Sequence, residues 1–260
     1  MRGGRSEPDC KCKRKTEGGE TECVMASLPK LYCAWFCPFA QRAWISLLHK
    51  GIEFEYIEQD PYDKSAEWLA VNPRGLVPAI LHIGRAVYES QVCIEYVDEA
   101  WPDGKSLLPK DAYERAFVRI WSDHIAKKIV PPFYAMLIKE TEQERQESKD
   151  ALINNIQLIM NAMSENGPFF LGKEFGMVDI MLAPYAQRIP ILLKTYRGFD
   201  IPNNEKFSRY YQWWNAVKEV DAVKKTFQPE DNLISKYKRY TDGTAKTEVA
   251  DAIRQGKGLP

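Results

Sequence analysis

Between residues 30 and 100 the chain alternates between two spacings of apolar positions. Residues 30–34 form a short, mostly apolar run that reads as a strand. Over residues 38–50, Ala43, Trp44, Leu47 and Leu48 recur at the three- and four-residue intervals of an amphipathic helix. Pro38 suits the first helical position, where an N–H has no intrahelical partner, and Gly51 suits the left-handed residue that closes a helix. Residues 53–57 alternate as a second strand, and residues 66–71 form a short helix closed by Asn72-Pro73. Residues 78–83 and 85–88 flank a turn at Gly84 and read as a strand pair. A helix then starts at Ser90, with Val92, Cys93, Tyr96 and Val97 on its inner face. The order βαβαββα predicts a small mixed α/β domain.

After Pro102 and Pro109 the pattern changes. Residues 112–139, 142–164, 178–195 and 206–220 all carry helical periodicity, and residues 231–240 add one more helix. No strand pattern interrupts them, so this half reads as all-α. Trp213 and Trp214 fall on a helical stripe and belong to its core. Residues 1–27 combine Gly3, Gly4, Gly18 and Gly19 with mixed charges and almost nothing to bury, which predicts a disordered tail. Met25 is a candidate alternative start. Residues 241–260 are polar and read as a flexible end. The expected organisation is therefore a tail (1–27), an α/β domain (28–104), a helical domain (109–240) and a second tail (241–260).

Composition narrows the function classes. The chain has 260 residues, with 36 basic and 36 acidic side chains, and thus lacks the basic excess usual for a nucleic-acid binder. No apolar run approaches a membrane span, and the first residues lack the apolar core of a signal peptide. Acidic residues among the first 22 argue against a mitochondrial presequence, so a cytoplasmic location is expected. The six cysteines then read as reduced thiols. Cys10 and Cys12 lie in a basic tail segment and are too few for a closed zinc site. His49, His82 and His124 lack ligand spacing, so no metal is expected.

Cys37 carries the candidate chemistry. In Phe36-Cys37-Pro38-Phe39 it stands where a strand gives way to a helix. There its sulfur faces the unpartnered N–H groups of Phe39 and Ala40 and the positive end of the helix dipole, which favour thiolate over thiol. Read alone, the motif fits either a reactive nucleophile or a small cap or core residue. Cys33, inside the first strand, reads as core. Ala40 occupies the place of the second cysteine of a redox pair, so a monothiol mechanism would need an external thiol, for which glutathione is the cytosolic candidate.

Three motifs in order, Phe36-Cys37-Pro38-Phe39-Ala40-Gln41-Arg42, Asn72-Pro73-Arg74-Gly75-Leu76-Val77-Pro78 and Tyr88-Glu89-Ser90, resemble the signatures of an omega-class glutathione transferase. Tyr96-Val97-Asp98-Glu99-Ala100 extends the likeness, which spans roughly residues 31–240. The resemblance implies a thioredoxin-like N-terminal domain followed by a helical C-terminal domain, usually as a homodimer. It implies thiol transfer or dehydroascorbate reduction through a mixed disulfide between Cys37 and glutathione as co-substrate, with weak conjugation to electrophiles. On the glutathione side it points to Phe39, to Val77 before a cis Pro78, to Glu89 for the ammonium, to Ser90 as a capping residue for the γ-glutamyl carboxylate, and to Lys64 for the glycyl carboxylate. Arg188 and Tyr240 match positions lining the second-substrate pocket.

Asp179 matches a helix-capping aspartate, but Gly176 stands where relatives carry serine or threonine. Leu233 replaces an aromatic of the C-terminal lid, which implies a wider pocket. Chloride intracellular channel proteins share the fold and a similar cysteine, so a non-catalytic ligand-binding or regulatory protein is the alternative, as is a redox sensor. Gln41, Arg42 and Lys50 in the first helix disfavour stable membrane insertion.

Overall fold

The structure is a computed structural model that describes residues 28–259. The expectations for residues 1–27, including Cys10, Cys12 and Met25, lie outside the described residues.

The N-terminal domain is built on four strands: β1 (Lys30–Cys33), β2 (Glu55–Glu58), β3 (Ala79–His82) and β4 (Arg85–Tyr88), in spatial order β2-β1-β3-β4. β1 pairs in parallel with β2 and antiparallel with β3, and β3 pairs antiparallel with β4. Leu31 and Cys33 on β1 and Ala79 and Ile80 on β3 are sealed in the core. Helices α1 (Pro38–His49), α2 (Ala66–Val71) and α3 (Ser90–Ala100) complete a thioredoxin-like layer arrangement.

The second domain is helical: α4 (Ala112–His124), α5 (Val130–Ile138), α6 (Glu142–Ala162), α7 (Met177–Arg188), α8 (Lys194–Arg197), α9 (Ser208–Val217), α10 (Asp221–Lys224), α11 (Glu230–Thr241) and α12 (Glu248–Arg254). The sequence predicts one helix over 112–139. The structure keeps it continuous but widens it into a π turn at Ile125–Ile129, just before Pro131 and Pro132. A second π turn at Ile189–Leu193 contains Pro190. Proline removes an N–H and its ring crowds the carbonyl four residues back, so a wider turn lets the helix pass without breaking.

Where the sequence predicts a flexible end after residue 240, the structure has α12. Thr247 caps it by accepting the Ala250 N–H at 3.1 Å, and Ala250 and Ile253 are buried against α5. Two inward positions in seven residues are too few for periodicity to betray a helix. Gly176 is the N-cap of α7 and has no side chain to accept from the first-turn N–H groups; the reciprocal bond remains, with Asp179 accepting the Gly176 N–H at 2.9 Å.

The domains meet along α1, which packs against α3 on one side and α7 on the other. Lys50 after α1 pairs at 3.1 Å with Asp98 of α3, both side chains almost fully buried. The same carboxylate accepts the N–H groups of Leu107 and Leu108 at 2.8 and 3.1 Å, pinning the connection between the domains. No described helix is long and apolar enough to cross a membrane.

Candidate active site

The site is assembled from the turn between β1 and α1. The Cys37 N–H bonds to the Ala34 carbonyl at 2.9 Å, and Cys37 then adopts extended backbone as the N-cap of α1, with Pro38 in the first helical turn. Cys33 and Cys93 are fully buried, and desolvation drives both thiols far up. Cys37 is only half-buried and opens onto a cavity of about 110 Å³.

One wall of that cavity comes from the N-terminal domain: Phe39, Val77, Pro78, Glu89 and Ser90. The Val77–Pro78 peptide bond is cis. The Asn72 side chain braces the approach to it, donating to the Leu76 carbonyl at 2.7 Å and accepting the Arg74 N–H at 3.1 Å. The Cys37 thiol makes a long contact to the Val77 carbonyl, 4.0 Å. The opposite wall is tyrosine: Tyr134 from α5 and Tyr237 and Tyr240 from α11, the latter two stacked with centroids 5.2 Å apart. Burial holds all three phenols above their usual range, so they stay protonated at neutral pH.

The electrostatics of Cys37 differ from the sequence expectation. Burial pushes its thiol up; the Ala40 and Phe39 N–H groups and the Arg188 and Arg42 guanidiniums pull it down without overcoming burial. No side-chain cap bond closes between the sulfur and the helix amides. This environment favours the thiol, because a helix terminus counts for less than removal of the sulfur from water.

Other expectations are relocated. Ser90 is the first residue of α3 and not its cap; Glu89 holds the N-cap position with φ 72°, and the Ser90 hydroxyl accepts from Arg42 at 3.1 Å. The Glu89 carboxylate pairs with Arg74. Lys64 does not line the cavity. It donates to the Arg74 carbonyl at 3.1 Å and lies 3.8 Å from Glu248 of α12. Arg188 is not a pocket residue at all: it is 1% exposed and absent from the cavity wall. Its guanidinium donates to the Phe36 carbonyl (2.9 Å), the Gln41 amide oxygen (2.6 Å), the Pro184 carbonyl (2.9 Å) and the Tyr237 hydroxyl (3.3 Å). Periodicity marks Arg188 as inward-facing but cannot tell a pocket from a domain interface. Leu233 is fully buried and does not widen the pocket, whose tyrosines close it from that side.

Sequence reasoning missed Tyr134, Tyr237 and Thr247 as lining residues. Tyr237 stands three residues before Tyr240, a helical interval that signals a shared face. Among the described residues no group of His, Cys, Asp or Glu side chains comes together as a metal site.

A thioredoxin-like domain carrying a helix-start thiol, a cis-proline strand beside it and an all-helical partner domain define a thiol-handling transferase architecture. Comparison with known proteins agrees. The glutathione S-transferase N-terminal domain family matches residues 36–100, and the corresponding C-terminal domain family matches residues 123–226. A probable glutathione S-transferase of Oryza sativa subsp. japonica is 38% identical over 204 residues, 75% of this chain and 86% of that protein. The crystal structure of glutathione transferase Omega 3C from Trametes versicolor has a TM-score of 0.73 at 35% identity, covering 83% of this chain and 92% of that one. A tau-class enzyme from mango, Mangifera indica, has a TM-score of 0.77 at 27% identity, covering 83% and 99%. The chain belongs to the glutathione S-transferase family. Both omega- and tau-class structures resemble it, so the likeness reaches the family and stops short of the class.

Proposed function

We propose that the protein is an omega-type, glutathione-dependent thiol transferase and dehydroascorbate reductase whose nucleophile is Cys37. One observation carries the reading: a half-buried cysteine, not a serine or tyrosine, opens into the cavity at the start of α1, beside Val77, Glu89 and Ser90. A cysteine there forms a disulfide with glutathione in preference to activating glutathione's own thiol for conjugation.

The Cys37 thiolate attacks the glutathionyl sulfur of a mixed disulfide. The S–S bond breaks, Cys37 becomes glutathionylated, and the departing thiolate takes up a proton. A glutathione thiolate then attacks the Cys37 disulfide, glutathione disulfide leaves, and the Cys37 thiolate is restored. With dehydroascorbate, two glutathiones supply the two electrons and leave as one disulfide.

In this reading residues 28–104 hold glutathione and residues 109–240 hold the second substrate. The Val77 main chain pairs with the cysteinyl backbone of glutathione as an added strand, with Pro78 and Phe39 as its apolar wall. Ser90 and the start of α3 receive the γ-glutamyl carboxylate, Glu89 its ammonium, and Lys64 the glycyl carboxylate. Tyr240 borders the second substrate. The protein works in the cytoplasm as a homodimer.

The test is glutathione-dependent reduction of hydroxyethyl disulfide and of dehydroascorbate by the wild type and Cys37→Ser. The variant should lose about 100-fold or more, because a serine hydroxyl neither ionises near neutral pH nor forms a disulfide. Retained turnover in Cys37→Ser rejects the proposal, and no turnover in the wild type favours a non-catalytic or redox-sensing role.

A further inference from the structure

The wall that the helical domain gives to the Cys37 cavity holds neither a carboxylate nor an amide side chain. It consists of three phenols, Tyr134 from α5 and Tyr237 and Tyr240 from α11, with Thr247 beside them. The rings pack against one another. Tyr240 stacks on Tyr237 with centroids 5.2 Å apart and tilts against Tyr134 at 5.4 Å, and Phe133 meets Tyr134 edge to face at 5.2 Å.

The three hydroxyls are not equivalent. Tyr237 donates to the Phe36 carbonyl at 3.2 Å and accepts from Arg188 at 3.3 Å, so its proton is committed to the domain interface. Thr247 accepts the Ala250 N–H at 3.1 Å and donates toward the Tyr240 oxygen, which leaves the Tyr240 proton available. No carbonyl or carboxylate among the described residues takes the proton of Tyr134 or of Tyr240. Burial keeps both phenols neutral at physiological pH, and so keeps them donors. On the opposite wall the polar side chains are engaged: Asn72 by Leu76 and Arg74, Ser90 by Arg42, and Glu89 by Arg74. Two neighbouring donors across a cavity from a nucleophilic sulfur match two neighbouring oxygens that gain negative charge on attack, the pattern of a vicinal dicarbonyl.

We propose that the Tyr134 and Tyr240 hydroxyls form an oxyanion-binding pair that selectively speeds attack of Cys37 on vicinal dicarbonyls, dehydroascorbate among them. The proposal rests on the thiol-transfer reading and adds the groups that separate its two acceptor classes. The Cys37 thiolate adds to one carbonyl carbon. The C–S bond forms and the π pair moves to oxygen, where the two hydroxyls hold it until it takes a proton from water. A glutathione thiolate then attacks the Cys37 sulfur. The S–S bond forms, the C–S bond breaks, and its electron pair reduces the dicarbonyl to the enediol with uptake of a second proton. A second glutathione frees Cys37 and leaves with the first as glutathione disulfide. A departing sulfur accepts hydrogen bonds weakly, so disulfide exchange gains little from the same hydroxyls.

The experiment measures kcat/KM for dehydroascorbate and for hydroxyethyl disulfide on the full chain. The proteins are the wild type, Tyr134→Phe, Tyr240→Phe, the double variant Tyr134→Phe/Tyr240→Phe, and Tyr237→Phe. Each substitution removes a hydroxyl and keeps the ring, and the ratio of the two constants cancels any general loss of folded protein or of reactive thiol. The ratio of the dehydroascorbate to the disulfide constant should fall about tenfold in either single variant and about 100-fold in the double. Tyr237→Phe, which removes a hydroxyl committed to Phe36, should move the ratio less than about threefold. An unchanged ratio in Tyr134→Phe, Tyr240→Phe or the double variant overturns the pair. So does an equal fall in Tyr237→Phe, or a wild type that reduces the disulfide but not dehydroascorbate. Turnover of hydroxyethyl disulfide by Cys37→Ser would instead overturn the thiol-transfer reading, whichever way the ratio moves.

Discussion

Opposing influences meet at the Cys37 sulfur. Helix amides and two buried guanidiniums favour its anion, loss of water disfavours it, and loss of water wins. Nucleophilic attack needs the thiolate, so the apparent rate should track the ionised fraction. We expect the rate of Cys37 alkylation by iodoacetamide to climb about tenfold per unit from about pH 6 to about 9 without levelling. A plateau below about pH 7 would show that the helix terminus and the guanidiniums prevail after all. Arg42 is the more exacting test of the guanidiniums. It is 1% exposed, its partners are the neutral Met181 carbonyl and Ser90 hydroxyl, and it lies over the Phe39 and Tyr185 rings. Arg42→Met should slow alkylation at neutral pH several-fold while its rate keeps the same slope against pH; an unchanged rate would remove Arg42 from the electrostatics of the sulfur. At this scale the sequence was readable in which residues come together, since Cys37, Pro78 and Glu89 do line one cavity. It was unreadable for Tyr134 and Tyr237, which reach the cavity from distant helices, and misleading for Arg188, because burial of a guanidinium is set by neighbours far along the chain.

Two elements of the helical domain show how local signals mislead or succeed. Asp179 sits in the first turn of α7, where it accepts N–H groups from Phe170 and Gly176, each at 2.9 Å, and from the Trp213 indole at 2.7 Å. Its role as a structural cap was legible through the family resemblance; the tryptophan partner was not. Burial raises its carboxyl to about 6, above an unfolded value of about 3.9. A proton is therefore held more tightly in the folded state, and the stability this group contributes falls as pH rises through roughly 4 to 6. Asp179→Asn places a donor where three donors converge and should lower unfolding free energy by about 2 kcal/mol or more at neutral pH. The deficit should be largest near about pH 4 and shrink by roughly 3 kcal/mol toward pH 7. A deficit that grows with pH would mean the three donors keep the carboxylate ionised.

Helix α12 is the opposite case, a short element invisible in a polar stretch. It brings Thr247 to the cavity and Glu248 to within 3.8 Å of Lys64. If Lys64 receives the glycyl carboxylate, Glu248 competes with it. Glu248→Gln should then tighten glutathione binding about twofold, the scale expected of a partly exposed pair; weaker binding would place Glu248 on the ligand's side.

At the scale of the whole molecule, the expected succession of an α/β layer and a helical domain follows from the change in apolar spacing after Pro102, but the way the halves lock together does not. The lock is made of polar side chains on inward helix faces, which a pattern of apolar positions passes over. The Gln41 amide donates to Gln187 and Thr226, each at 3.0 Å; Arg42 reaches the Met181 carbonyl; Arg188 reaches back to the Phe36 carbonyl. All four bonds converge on α1 and on the turn that carries Cys37, so the reactive residue belongs to the domain interface as much as to either domain. Arg188→Met removes a buried charge that has no carboxylate partner among the described residues, yet it takes the donor from the Gln41 oxygen and leaves the Phe36 carbonyl with only the Tyr237 hydroxyl, a loss of about 2 kcal/mol. Because that loss falls on the interface, it should change the order of unfolding as well as the midpoint. In wild type, urea should expose Cys37 to alkylation in the same transition that removes helical circular dichroism. In Arg188→Met, Cys37 should become reactive at a lower urea concentration than the loss of helix, because the domains part before either unfolds. Coincident transitions in the variant would show that the apolar contacts of α1 with α3 and α7 hold the halves together without the polar lock.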